Sequence, residues 1–258
     1  MSDFVDGPWL WQLEEATSTR AIEPIRKDEE FVLYRFHGPS HRDAPSLLLL
    51  APVAAHPTVQ TLSKIEHEYS LHSELNSAWA VRPLALSEYL GQPALILEDP
   101  GGETLDRLLT EPMEIALFLR FAAGLATALG GVHESGLIHK DIKPANVLVN
   151  PATGEVRLLG FGIASRLPRE RQAAGPPEFI AGTLPYMAPE QTGRMNRSID
   201  SRSDLYALGV TLYEMLTGTL PFAATDPMEL VHSHIARQPV PPGEWLARIP
   251  WQVFRGVT

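Results

Sequence analysis

Asp141, Lys143 and Asn146 fall within one short stretch, His139-Lys140-Asp141-Ile142-Lys143-Pro144-Ala145-Asn146, and their types and spacing could support a reaction. An aspartate can take a proton from a hydroxyl, a lysine two residues on can offset negative charge, and an asparagine amide can ligate a metal ion. Loop aspartates and asparagines also bond backbone groups, so a purely structural use of both stays open. A second stretch, Leu159-Gly160-Phe161-Gly162, places Gly160 fourteen residues past Asn146.

The elements that must position these groups follow from pattern. Phe31 to Phe36 and the apolar run Ser46 to Leu50 read as strands, with a turn-rich stretch from Gly38 to Pro45 between them. Thr58 to Leu75 has helical spacing, with Leu62, Ile65 and Tyr69 on one face. Val81 to Leu86 and Ala94 to Leu97 read as further strands, and Asp99-Pro100-Gly101-Gly102 as a hinge. Residues 1–30 are polar and mixed, with Trp9 and Trp11 as packing anchors. Beyond the hinge, Pro112 opens an apolar-periodic helix to about Glu134, and Gly136 suits its stop. Val147 to Val149 and Val156 to Leu159 form a short hairpin, Ser165 to Gly182 a long loop, and helices are expected near 203–217 and 226–237.

Bulk properties narrow the function. A chain of 258 residues can bury a large core. A formal charge of −10 argues against a nucleic-acid partner. The longest apolar run, Leu47 to Ala55, contains Pro52 and is too short to cross a bilayer, so no membrane insertion is expected. With no cysteine there is no thiolate chemistry. The first residues lack the regions of a signal peptide, and a cytoplasmic location is expected.

The motifs resemble, in order, those of the eukaryotic-like serine/threonine protein kinases. His139 to Asn146 matches the catalytic loop, with Lys140 where most members have Arg. Ala188-Pro189-Glu190 matches the close of the activation segment, Gly182-Thr183 is the arrangement of Ser/Thr-specific members, and Asp204-Leu205-Tyr206-Ala207-Leu208-Gly209 resembles the helix whose Asp anchors the catalytic loop. The resemblance implies an α+β bilobal fold, a strand-rich N-lobe with one main helix over 1–99 and a helical C-lobe over 100–258. It assigns proton acceptance to Asp141, charge offset to Lys143 and magnesium binding to Asn146. It puts Glu98, Glu103 and Leu148 at the nucleotide, Thr183 and Glu190 in the activation segment, and His139, Phe161 and Asp204 among the structural anchors. His139 is expected to pack inward on a carbonyl, Phe161 to sit in the core, and Thr183 either to contact Asp141 or merely to shape its loop. Glu103 could bond a ribose hydroxyl or face a helix start. The His residues at 232 and 234 read as surface or packing groups.

A narrower resemblance rests on Glu190 to Asp200, Asp226-Pro227 and His234 to Gln238. It points to a bacterial group with a kinase-like domain ahead of an ATPase region and a sensor histidine kinase. The partners implied are other domains of a larger signalling protein, or a protein substrate. On this reading the C-lobe lacks its last helices, and Glu190 lacks the arginine that pairs with it.

Four departures bear on ATP and Mg²⁺, the cofactors of an active member. Gly160 stands where the metal-binding aspartate belongs. Aligning Glu68 with the family's helix glutamate puts Leu50 at the phosphate-binding lysine. Lys64 reads as a surface residue, and Glu68, without its lysine, as a solvated one. No Gly-x-Gly-x-x-Gly precedes the strand at 46–50, and Pro100, at the hinge beside Leu97, has no N–H for adenine. One lost electrostatic contact costs ~3–4 kcal/mol of transition-state stabilisation. The expectation is therefore a catalytically impaired domain, with or without ATP and Mg²⁺; the alternative is an active Ser/Thr kinase with atypical metal binding through Asp141, Lys143 and Asn146.

Overall fold

The computed structural model of the chain describes residues 22–36, 46–166, 182–194 and 197–245. Trp9, Trp11, the turn-rich stretch 38–45 and nearly all of the long loop after Arg166 lie outside them.

The first lobe is a five-stranded antiparallel sheet, ordered β1-β2-β3-β5-β4. Its strands are β1 (Ile22–Lys27), β2 (Phe31–Phe36), β3 (Leu47–Pro52), β4 (Pro83–Tyr89) and β5 (Gln92–Glu98). Four consecutive leucines in β3 bury both sheet faces, since successive side chains point opposite ways. Leu48 and Leu50 join Ile25, Leu33, Leu95 and Leu97 on one face, while Leu47 and Leu49 join Phe36, Ala94 and Ile96 on the other.

Strand β1 falls in the region read from sequence as polar and mixed, and its pattern explains why. Its register shifts between Pro24 and Arg26, so that Ile25 and Arg26 are both buried in succession. A bulge lets two neighbouring side chains face the same way, and an arginine in such a place hides the strand's alternation.

Helix α1 (Val59–Ser70) crosses behind the sheet, capped by the Thr58 hydroxyl accepting from the Thr61 N–H. Its buried face is Thr61, Ile65 and Glu68, rotated from the expected Leu62–Ile65–Tyr69 stripe. Glu68 is 3% exposed, which overturns its reading as a solvated residue.

The second lobe begins with β6 (Glu103–Thr104) and the short α2 (Leu105–Leu108), and is built on α3 (Ile115–Glu134). Glu114 caps α3 by accepting from the Leu117 N–H, and Gly136 past its end has a φ of +74°. Phe118, Phe121, Leu125, Leu129 and Val132 form its inner face. Among the described residues α3 is also the one helix long and apolar enough to cross a membrane, by length and composition only. The expectation drawn from the apolar run Leu47 to Ala55 overlooked it. Strands β7 (Leu137–Ile138) and β10 (Ser165–Arg166) pair, as do β8 (Val147–Val149) and β9 (Val156–Leu158). Helix α4 (Ser201–Thr217) supplies Ala207, Met215 and Leu216 to the same core, followed by α5 (Pro227–Ala236) and the single turn α6 (Pro242–Trp245). The architecture is thus bilobal, strand-rich then helical, with a short helical lobe.

The lobes are tied at the hinge. Arg35 on β2 donates to both Asp99 carboxylate oxygens, at 2.7 and 3.1 Å, and to the Gly102 carbonyl at 2.9 Å. Burial would raise the Asp99 carboxyl, but the Arg35 guanidinium and neighbouring donors hold it below its ordinary value.

Candidate functional site

Asp204 on α4, fully buried, organises the loop that carries the reactive-type side chains. Its carboxylate accepts from the backbone N–H of His139 at 2.8 Å and of Lys140 at 2.7 Å, and His133 Nε2 lies 2.9 Å away. These bonds hold Lys140 at a φ of +68°, a conformation that a non-glycine residue keeps only when its surroundings impose it. His139 is wholly buried, with Nε2 at 2.9 Å from the Leu159 carbonyl and its ring edge-on to Phe161 at 4.6 Å between centroids. Burial pushes its pKa down and keeps the imidazole neutral. Phe161 is also fully buried, against Trp79.

The turn that follows brings Asp141, Lys143 and Thr183 together. The Thr183 hydroxyl donates to Asp141 Oδ1 at 2.8 Å, Lys143 Nζ donates to Thr183 at 2.7 Å, and Lys143 lies 3.0 Å from Asp141 Oδ2. Thr183 therefore contacts Asp141 directly. Burial alone would raise the Asp141 carboxyl; Lys143 and the Thr183 hydroxyl outweigh it and keep the group ionised. Asn146 Nδ2 donates to the Asp141 carbonyl and to Asp141 Oδ2, both at 2.8 Å. The Ser203 hydroxyl donates to Glu190 at 2.6 Å.

Asn146 also meets a residue that sequence reasoning passed over. Arg26 Nη1 donates to Asn146 Oδ1 at 2.6 Å and to the Ala145 carbonyl at 3.2 Å, and Nη2 lies 3.4 Å from Asp28 Oδ2. Asp28 Oδ1 accepts from the N–H groups of Glu30 and Phe31 and so shapes the β1–β2 turn Lys27-Asp28-Glu29-Glu30. Three of the four residues of this turn are acids. Lys64, expected at the surface, is about one-third exposed and paired with Glu30. The legible signal was an arginine next to an isoleucine just before three successive acids.

These groups line a cleft of about 610 Å³ between the lobes. Five carboxylates (Asp28, Glu29, Glu30, Glu68, Asp141) face three cations (Arg26, Lys64, Lys143), with Leu50, Gly160 and Thr183 along the wall. Leu50 and Gly160 both line this cleft. Burial pushes Glu68 up to about 7, against the backbone N–H of Phe161, the charge of Arg26 and the N–H of Gly160.

The residues expected at a nucleotide are disposed differently. Glu98 accepts from the Ser77 hydroxyl at 2.8 Å and the Arg82 N–H at 3.1 Å, fastening β5 to the loop after α1 rather than facing the cleft. Glu103 takes Arg107, one helical turn on, at 3.3 Å, and Arg107 also donates to the Pro24 carbonyl at 2.7 Å. Leu148, 2% exposed, packs in one cluster with Ile25, Leu33, Leu48, Leu97 and Leu159, so apolar side chains of both lobes meet there.

The pattern of the protein kinase domain family matches residues 53–245, beginning after β3. The chain is similar to serine/threonine-protein kinase PknB of Mycobacterium tuberculosis, 32% identical over 206 residues, which cover 78% of this chain and 32% of that protein. PknB of Mycobacterium leprae is 33% identical over 208 residues (79% and 33%), and the kinase pkn3 of Myxococcus xanthus 32% over 191 residues (71% and 35%). The chain spans about a third of the length of these relatives. With the catalytic-loop geometry, the bilobal fold and the match over most of its length, the chain belongs to the protein kinase domain family.

Proposed function

We propose that this chain is a pseudokinase: a kinase-fold signalling module that binds other domains of a larger cytoplasmic protein, and transfers little or no phosphate. The observation that carries the reading is the apolar contact between the lobes. In the family the purine lies between the N-lobe sheet, the hinge and the residue at Leu148. Here Ile25, Leu33, Leu48, Leu97 and Leu148, each no more than 2% exposed, fill that layer. A purine entering it must displace buried leucines at ~1.5–3 kcal/mol each.

The family uses ATP and Mg²⁺, and the polar groups fit them no better. The acidic turn at Asp28 to Glu30 offers repulsion to phosphates, Gly160 supplies no carboxylate, and the Asn146 amide oxygen already accepts from Arg26. A narrower placement, in the bacterial group with a kinase-like domain ahead of an ATPase region and a sensor histidine kinase, rests on the Glu190 to Asp200 stretch.

One observation favours a second reading, an active Ser/Thr kinase with atypical metal binding. Asp141 is kept ionised by Lys143 and Thr183, as a proton acceptor requires. Labelled ATP with Mg²⁺ or Mn²⁺ and a protein substrate separates the two. The pseudokinase reading expects incorporation indistinguishable from an Asp141→Ala control. Transfer to Ser or Thr that Asp141→Ala abolishes would establish the second reading instead.

A further inference from the structure

The losses at Leu50 and Gly160 are joined by a single cation. Arg26 is 8% exposed, lies at the β1 bulge, and turns Nη1 and Nη2 onto oxygen atoms of the cleft, while Nε has no partner. Its partners are Asn146 Oδ1, the Ala145 carbonyl and the Asp28 carboxylate, and its charge also acts on the buried Glu68. Carbonyl, amide and carboxylate oxygens are the donors that a divalent metal of the Mg²⁺ class gathers. Both ends of the Asn146 amide are committed: Nδ2 to Asp141, Oδ1 to Arg26.

Gly160 fits the same arrangement. Its φ is +79°, and a Cβ added there would lie 2.9 Å from Asn146 Cγ and Oδ1 and 3.0 Å from Nδ2. A side chain at 160 and the Asn146 amide in its Arg26-bound position exclude each other. We propose that the Arg26 guanidinium takes the place of the family's divalent metal as the fixed cation of the cleft, and that Gly160 is the space this arrangement requires. The inference deepens the pseudokinase reading and rests on its metal-free part.

Two measurements on the 258-residue chain test it. The first is urea unfolding of the wild type, Arg26→Met, Gly160→Ala and the double variant. Removing a hydrogen bond from a charged donor lowers the folding equilibrium constant about ten- to a hundredfold, and Arg26→Met is expected in that range. Gly160→Ala is expected to cost at least about tenfold less when Arg26 is absent, because the amide is then free to turn. Penalties that simply add overturn the proposal. Where Arg26→Met does not fold, Arg26→Lys keeps a charge without the planar fork; an R26K protein as stable as the wild type overturns the proposal.

The second is Mn²⁺ binding, followed by the loss of the free-ion electron paramagnetic resonance signal. The Arg26→Met, Gly160→Asp double variant is expected to hold Mn²⁺ at least about tenfold more tightly than the wild type or Gly160→Asp alone. Equal affinity in the wild type, or in Gly160→Asp alone, overturns it. Phosphotransfer by the wild type would refute the pseudokinase reading, whereas additive unfolding penalties refute only the role given to Arg26.

Discussion

Replacing Glu68 by glutamine isolates the cost of one buried carboxylate in the cleft. Glu68 is 3% exposed, and burial raises it from 4.5 to about 7 despite the N–H of Phe161, the Arg26 charge and the N–H of Gly160. The folded protein therefore holds this proton more tightly than the unfolded chain does. Below pH 4.5 the group is protonated in both states, and its full contribution to stability is present. Between pH 4.5 and about 7 unfolding releases a proton, so stability falls as pH rises. At about 1.4 kcal/mol per pH unit, the whole interval is worth about 3 kcal/mol. Glutamine stays neutral throughout and is spared that loss. Urea unfolding of both proteins at pH 5, 6, 7 and 8 reads the difference directly. Groups with the opposite slope, such as Asp99 and Asp141, cancel between the two. Glu68→Gln is expected to lie within about 1 kcal/mol of the wild type at pH 5, and to be the more stable by up to about 3 kcal/mol at pH 8. A variant less stable than the wild type at pH 8 refutes the reasoning. The carboxylate would then be charged and held by Arg26, in place of the Asn146 contact.

Other perturbations reach the framework. Asp204→Ala leaves the buried N–H of His139 and the part-buried N–H of Lys140 without this acceptor, at ~1–3 kcal/mol each, so urea unfolding should show a loss of about 2–5 kcal/mol, and Asp204→Asn a smaller one. Leu148→Ala opens a cavity between the lobes and should cost about 2–5 kcal/mol in the same measurement. Gly131→Ala brings a Cβ to 2.3 Å from Trp79 Cδ1 and is expected to cost about 1–3 kcal/mol by overpacking. Its neighbour Gly130, with nothing within 4 Å, serves as control; Gly130→Ala should raise the thermal midpoint, by about 0.5–1 kcal/mol in stability.

What was legible in the sequence were features that local rules write in consecutive residues. The run of leucines in β3, the period of α3 with its glycine stop, and the β8–β9 hairpin are each visible in a single window. The catalytic-loop stretch carried its geometry with it, because Asp204 and Thr183 bond the groups that the motif order implies. What was not legible depends on contacts between distant segments. Strand β1 was hidden by its bulge, and Arg26 meets Asn146 across 120 positions. Glu68 lies between polar residues in the sequence, and only the rotation of α1 against the sheet buries it. Glu98 and Glu103 were assigned by position, whereas Ser77, the Arg82 N–H and Arg107 lie closer to hand.

The central claim is that buried side chains fill the nucleotide layer of this kinase-fold domain. It is tested most directly by the thermal unfolding midpoint with ATP, with and without Mg²⁺, beside Asp141→Ala. A ligand at ~100 times its dissociation constant adds about 2.7 kcal/mol, which in a protein of this size raises the midpoint by roughly 5–10 °C. The account predicts no shift under either condition in a protein that melts cooperatively. An upward shift that depends on Mg²⁺ would contradict it, since the leucine layer and the Arg26-bound amide would then both have given way to a metal-nucleotide.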